Sequence, residues 1–379
     1  MGLLYDAVAN GMWVYSHAAF RVRVLGPRRF PLRARTLLVV THRRETDVPV
    51  FCPPVYFGAD LWRHRGELER MSFAARDDMF LPGFFAGFPE GLPQRVRRLL
   101  YPVGVARWLP VVNVHPIRSA TVARLGEVLA ARASDRLEEL VPAETVAVLR
   151  ARAAALGLPP PILARDALAG DYADLLWSAV APGEGVREGL DAFWSARATQ
   201  AARDFRALVE LLRAPTTLVL FPEGRPSPDG EIGPVRPGVG ALLRRGRPLS
   251  VQPLGLAYDP LVRGRTRVVL GLPDPVAPPT GKDAEATLLG LLRRAVPLTA
   301  GQVVAHLLSA GAEANPAALD RELAGAVEEA RAEGRPVEAA LLSPETRRRR
   351  LFEALSVAPA KPESLPYLAR ERESARAHS

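Results

Sequence analysis

The sequence predicts an α/β fold: a mostly parallel central sheet flanked by helices, with a helical insertion and a helical C-terminal extension. Three observations carry that prediction. Short β-branched runs recur along the chain and end in turn-forming residues, and amphipathic helical stretches lie between them. The runs are also apolar throughout, as strands covered on both faces must be. The 379 residues, 48% hydrophobic and 24% charged, suffice for a sizeable core in one large domain or two.

The strands expected are residues 36–41 (TLLVVT), 111–115 (VVNVH), 216–220 (TTLVL), 250–257 and 266–270. The clearest helix covers 197–213, where Ala201, Phe205, Leu208 and Leu212 recur on one face and Pro215 leads straight into TTLVL. Residues 119–195 are alanine-rich and broken by Pro159-Pro160-Pro161, and they read as a helical insertion inside a central domain over 36–279. Residues 280–379 read as a helical C-terminal extension. It has helices over 284–295 and 316–332, then the basic run Arg347-Arg348-Arg349-Arg350, and a tail that frays beyond Pro359.

Fifty basic against 41 acidic residues give a net charge of +9, and the excess gathers near the N-terminus. No acid occurs between Asp6 and Glu45, while Arg21, Arg23, Arg28, Arg29, Arg33, Arg35, Arg43 and Arg44 all fall there. Residues 1–35 therefore read as a basic, amphipathic, membrane-facing segment, with Trp13, Tyr15 and Phe20 as interfacial aromatics and the arginines suited to an anionic membrane surface. No apolar run reaches the ~18–20 residues needed to span a bilayer. Asp6 stands where a secretory signal would be basic, and the single cysteine, Cys52, rules out a disulfide framework. The expectation is a cytoplasmic protein, peripheral on the inner face of the membrane.

Two constellations could carry chemistry. His42 ends the first strand, with Asp47 five residues on in T-H-R-R-E-T-D. Side chains at that spacing face apart on a continuous helix, but they can meet if His42 sits on a strand-to-helix turn and Asp47 in the helix's first turn. The carboxylate then orients the imidazole as a general base. Taken alone, a strand-end histidine bonded to backbone explains His42 better. The second constellation, Phe221-Pro222-Glu223-Gly224-Arg225-Pro226-Ser227, follows TTLVL, with Gly224 permitting a tight turn and Arg225 placed for a phosphate. Phenylalanines are concentrated between residues 51 and 88. The broken run M-F-L-P-G-F-F-A-G-F-P, with Phe80, Phe84, Phe85 and Phe88, reads as an acyl-chain wall or membrane-dipping loop, or as aromatic core. A nucleophile elbow, a Walker A loop, an H-E-x-x-H helix and a cysteine pair for metal are all missing from the sequence.

In this order and after these strands, the motifs resemble those of the phospholipid/glycerol acyltransferase family, in its 1-acylglycerol-3-phosphate acyltransferase-like branch. The matching residues are H-x-x-x-x-D at His42 to Asp47, F-P-E-G at Phe221 to Gly224, and the proline-containing Val251-Gln252-Pro253. The resemblance implies the glycerol-3-phosphate acyltransferase-like fold over roughly 38–275. It also implies transfer of a fatty acyl group from acyl-CoA or acyl carrier protein to a glycerol-phosphate-type hydroxyl, lysophosphatidate first among them, in phospholipid synthesis. His42 and Asp47 would be catalytic, while Arg118, Glu223, Gly224 and Arg225 would bind substrate. No cofactor or metal is expected beyond the thioester co-substrate, and no nucleic acid partner. The chain departs from the family in placing Arg225 directly after Gly224, with Pro226 in the usual arginine position. The second-motif arginine is read as Arg118, with Arg197 the alternative. Two other readings stay open: the same chemistry on glycerol 3-phosphate or a non-phosphorylated alcohol, and a non-catalytic lipid- or nucleic-acid-binding protein on this fold.

Overall fold

The computed structural model describes residues 2–26, 35–57, 70–81, 83–87, 92–104, 106–187, 189–227, 229–311 and 315–376. Its strands in chain order are β1 (Arg21–Leu25), β2 (Thr36–Val40), β3 (Ser72–Arg76), β4 (Val114–Ile117), β5 (Ala123–Arg124), β6 (Ala179–Val180), β7 (Thr217–Leu220), β8 (Ser250–Asp259) and β9 (Arg267–Gly271). The chain divides into two compact units, one formed by Met1–Phe73 with Val209–Ser379, the other by Ala74–Leu208.

The first unit is built on the mostly parallel sheet that the apolar runs predict. Its order is β1-β9-β8-β2-β7-β3, and helices flank it. β2 pairs in parallel with both β7 and β8, and every residue of β2 and β7 is buried. That explains why TLLVV and TLVL lack the alternation of a half-exposed strand. The pair β8–β9 is antiparallel, and β1 joins β9 in parallel at the edge. The 1–35 segment read as membrane-facing thus contributes a helix, Gly2–Ala19, and a strand of the sheet, with Tyr5 and Ala9 buried. The alternation R-V-R-V-L is that of an edge strand, whose Arg21 and Arg23 stay exposed. Arg28, Arg29 and Arg33 lie outside the described residues.

The C-terminal residues form helices Ala284–Ala295, Ala300–Ser309, Pro316–Ala332, Pro344–Val357 and Leu365–Ala375. The first and third match the expected spans. The tail does not fray: Leu368, Glu371 and Ala375 are buried, and Ala375 joins Ile232, Ala257 of β8 and Val296 in one apolar cluster. The sequence hides this because the last helix, L-P-Y-L-A-R-E-R-E-S-A, shows a narrow apolar face between charges.

The second unit has its own core, with Val128, Leu129, Leu137, Leu140 and Leu149 wholly buried. It begins well before the expected insertion at 119. Arg98 and Gln94 bond Asp171, and Arg124 bonds Asp78, so residues 77–98 are fastened to the helical piece. The expected strand at 111–115 is displaced. Pro110–Val112 is a single tight turn closed by a left-handed Asn113 (φ 58°), and the extended residues begin at Val114.

Candidate functional site

In the parallel pair β2–β7, Val39 lies opposite Leu220. Carried three residues on, that register sets His42 opposite Glu223, so both motif turns leave the carboxyl edge of the sheet side by side. His42 N donates to Glu223 Oε1 at 2.8 Å, and Ser227 N donates to the His42 carbonyl at 3.0 Å. The other Glu223 oxygen accepts from Ser227 Oγ (2.9 Å) and Gly233 N (2.8 Å), and the Glu223 carbonyl accepts from Arg236 Nε (3.1 Å). Glu223 is buried and spends its carboxylate on backbone and a hydroxyl. It ties the turns together, which leaves none of its oxygens obviously aimed at a substrate. Gly224 turns the chain with φ +75°, a conformation that other residues rarely adopt.

Beyond β2 the chain makes a short turn and enters helix Asp47–Phe57. Thr41 Oγ1 accepts from Leu256 N at 2.9 Å, which pins the exit of β2 against β8. Asp47 opens the helix, and its side chain folds back as the five-residue spacing requires. Its Oδ2 lies 3.0 Å from His42 Nδ1 and accepts from Arg43 N (2.6 Å) and Arg44 N (2.9 Å). Its Oδ1 accepts from Tyr258 Oη of β8 at 2.7 Å. Asp47 is 0% exposed. Asp47 thus accepts from three other donors, and an ionised carboxylate only accepts, so the neutral imidazole that fits this contact carries its hydrogen on Nδ1 and keeps the lone pair of Nε2. The imidazole stacks on Phe221 (4.2 Å between ring centres, 26° between planes), and Phe51 meets Phe221 edge-on.

Tyr258, which the motif reading missed, supports the carboxylate from the far side. Burial, and then the Asp47 charge beside it, push its hydroxyl well above the usual range, so it remains a donor. The Arg44 guanidinium covers its ring at 4.3 Å. Arg43, counted by sequence among the surface arginines, is instead buried. Its NH1 donates to the Gly230 carbonyl at 3.0 Å, and its Nε lies 3.4 Å from Glu371 Oε1 of the last helix. Burial pushes Glu371 up to about 7, against the pull of Arg43. Only long-range packing reveals Tyr258 and Glu371; neither has a local sequence signal.

The other candidates are placed differently. Arg225 is exposed and makes no side-chain hydrogen bond or ion pair with the described residues. Arg118 lies in the second unit just after β4, where its NH1 donates to Asp204 at 2.6 Å. Arg197, the alternative, is buried in the same unit and holds the Ser119 and Val122 carbonyls, Glu127 and Asp77. Every nitrogen of its guanidinium is thus engaged in structure. Phe80 and Phe84 are half-buried in the second unit, with Phe84 edge-on to Trp177. The Phe85 side chain and Phe88 lie outside the described residues. Cys52 is buried and its thiol is pushed up to about 12, which disqualifies it as a nucleophile. Among the described residues no group of three or more His, Cys, Asp and Glu is placed to hold a metal.

No family model and no curated protein matches the chain. Among solved structures it is similar to the crystal structure of the 1-acyl-sn-glycerophosphate (LPA) acyltransferase PlsC from Thermotoga maritima, at 13% identity and a TM-score of 0.38, with 78% of each chain covered. At that distance a functional reading has to stand on the site's own geometry.

Proposed function

We propose that the protein is an O-acyltransferase in which His42 is the general base and Asp47 its orienting carboxylate. The observation that carries this reading is the His42 Nδ1–Asp47 Oδ2 contact of 3.0 Å to a carboxylate wholly withdrawn from water and held by three further donors. A strand-end histidine serving structure alone needs no such support. In the proposed reaction Nε2 takes the proton of an acceptor hydroxyl as its oxygen attacks the thioester carbonyl. The tetrahedral adduct collapses with loss of thiolate, and the imidazolium returns the proton to sulfur. The thioester is already activated, so no acyl-enzyme is required.

The expected donor is acyl-CoA or acyl carrier protein, and the acceptor a glycerol-phosphate-type hydroxyl, lysophosphatidate first. The exposed Arg225 and Arg236 near the Glu223 turn would receive the phosphate. The pairing of Arg118 with Asp204 favours a second reading, a non-phosphorylated alcohol, because that guanidinium is already neutralised. A thioester-consumption assay over a panel of acceptors separates the two. Consumption that depends on a phosphorylated acceptor supports the first, faster turnover with a plain alcohol supports the second, and no consumption with any acceptor removes both.

A further inference from the structure

The catalytic turn is clamped from beneath by the last helix. The Arg43 and Glu371 side chains are both 0% exposed, and Glu371 Oε2 accepts from Gln302 Nε2 of helix Ala300–Ser309 at 2.7 Å. The Arg43 backbone N–H makes the shortest of the contacts to Asp47 Oδ2, at 2.6 Å. One residue therefore has its backbone on the catalytic carboxylate and its side chain on the C-terminal helix. The same helix face reaches the other motif turn. Ser374 Oγ accepts from Ile232 N at 2.8 Å. Gly230, whose carbonyl takes Arg43 NH1, lies so close to the helix that a Cβ there would fall 2.3 Å from the Tyr367 carbonyl.

The Arg43–Glu371 pair is a poor device for stability. Arg43 Nε and NH2 and Glu371 Oε1 are buried without a hydrogen-bond partner among the described residues, and the ion pair's 3.4 Å lies outside good hydrogen-bond geometry. Replacing such a pair by apolar side chains is often neutral or stabilising. Its value lies in where it holds Arg43. The charged and titratable groups acting on Glu371 are Arg43 and Arg44 from the catalytic turn and Asp259 from β8, and Tyr367 of its own helix feels both Glu371 and Asp47.

We propose that Glu371 is a positioning residue for the His42–Asp47 pair, acting through the Arg43 guanidinium, so that the C-terminal helix is part of the catalytic apparatus. This rests on the acyltransferase reading for its kinetic arm but not for its spectroscopic one. The test compares Glu371→Gln and the double variant Arg43→Met/Glu371→Met with the intact chain. It reads the folded fraction by circular dichroism, steady-state kinetics with a thioester and the best acceptor of the panel, and the His42 Nδ1–H proton resonance, assigned by its loss in His42→Ala. The expected result is a folded Glu371→Gln protein with kcat lowered about tenfold, KM for both substrates unchanged, and a shifted Nδ1–H resonance. The double variant is expected to be at least as stable as the parent and yet as slow as Glu371→Gln. Parental kcat and an unmoved Nδ1–H resonance in the folded variants would overturn the proposal. Shifted resonances in a chain that transfers no acyl group to any acceptor would uphold the positioning role and sink the reaction assigned to the site.

Discussion

At the scale of single residues, the proposed chemistry turns on how a buried carboxylate is used. Asp47 receives His42, two backbone amides and Tyr258, and the last three hold the carboxylate that faces the imidazole. Asp47→Asn presents an amide that can donate as well as accept, which lets the ring adopt the wrong tautomer. It is expected to lower kcat by about a hundredfold or more while the protein stays folded. Tyr258→Phe removes one hydrogen bond to a charged group and is expected to lower kcat about tenfold with little change in KM. Steady-state kinetics on both variants checks the order, and a Tyr258→Phe defect as large as that of Asp47→Asn would contradict it. Arg197 behaves differently. Its removal leaves Asp77 and Glu127 without their buried partner, so Arg197→Ala is expected to lose about 3–5 kcal/mol of stability in urea unfolding, whatever happens to activity.

At the scale of elements, burial of charge gives the protein a pH dependence of its own. Burial disfavours the charge of Glu371 and pushes it from the ordinary 4.5 up to about 7 in the folded chain. The folded state therefore holds this proton more tightly than the unfolded state. The stabilisation is complete below about pH 4.5 and is lost as pH rises through about 7, an effect on the order of a few kcal/mol. Asp259, raised by the same cause, adds in the same direction. Unfolding midpoints at about pH 5 and about pH 8 are expected to differ less in Glu371→Gln than in the parent. A pH dependence unchanged by the substitution would contradict the assignment. Which elements could be foreseen follows the same physics. TLLVV and TTLVL were legible because buried parallel strands concentrate β-branched and leucine residues in short runs. S-F-A-A-R of β3 has no β-branched residue, and R-V-R-V-L of β1 read as a cationic patch although its alternation suits an edge strand. His42 and Asp47 were legible because both partners lie in one turn. Tyr258 is 211 residues from Asp47, and no local pattern announces such a contact.

At the scale of the whole molecule, no helix among the described residues is long and apolar enough to cross a membrane. The first helix nevertheless exposes Leu3 (88%), Val14 (60%) and Tyr15 (41%). With Arg21 and Arg23 exposed on β1 beside that helix, the proposed partner is an anionic lipid surface. The protein is expected to sediment with anionic vesicles, less with neutral ones, and to be partly released by high salt. Equal binding to both would leave no role for the arginines. The reaction itself is tested most directly at His42. Thioester consumption in the presence of the best acceptor is measured for the parent and for His42→Ala, each shown to be folded by circular dichroism. The expected result is transfer by the parent and none above background by the variant. A folded His42→Ala protein that turns over at the parental rate would contradict the general-base role on which the proposed function stands.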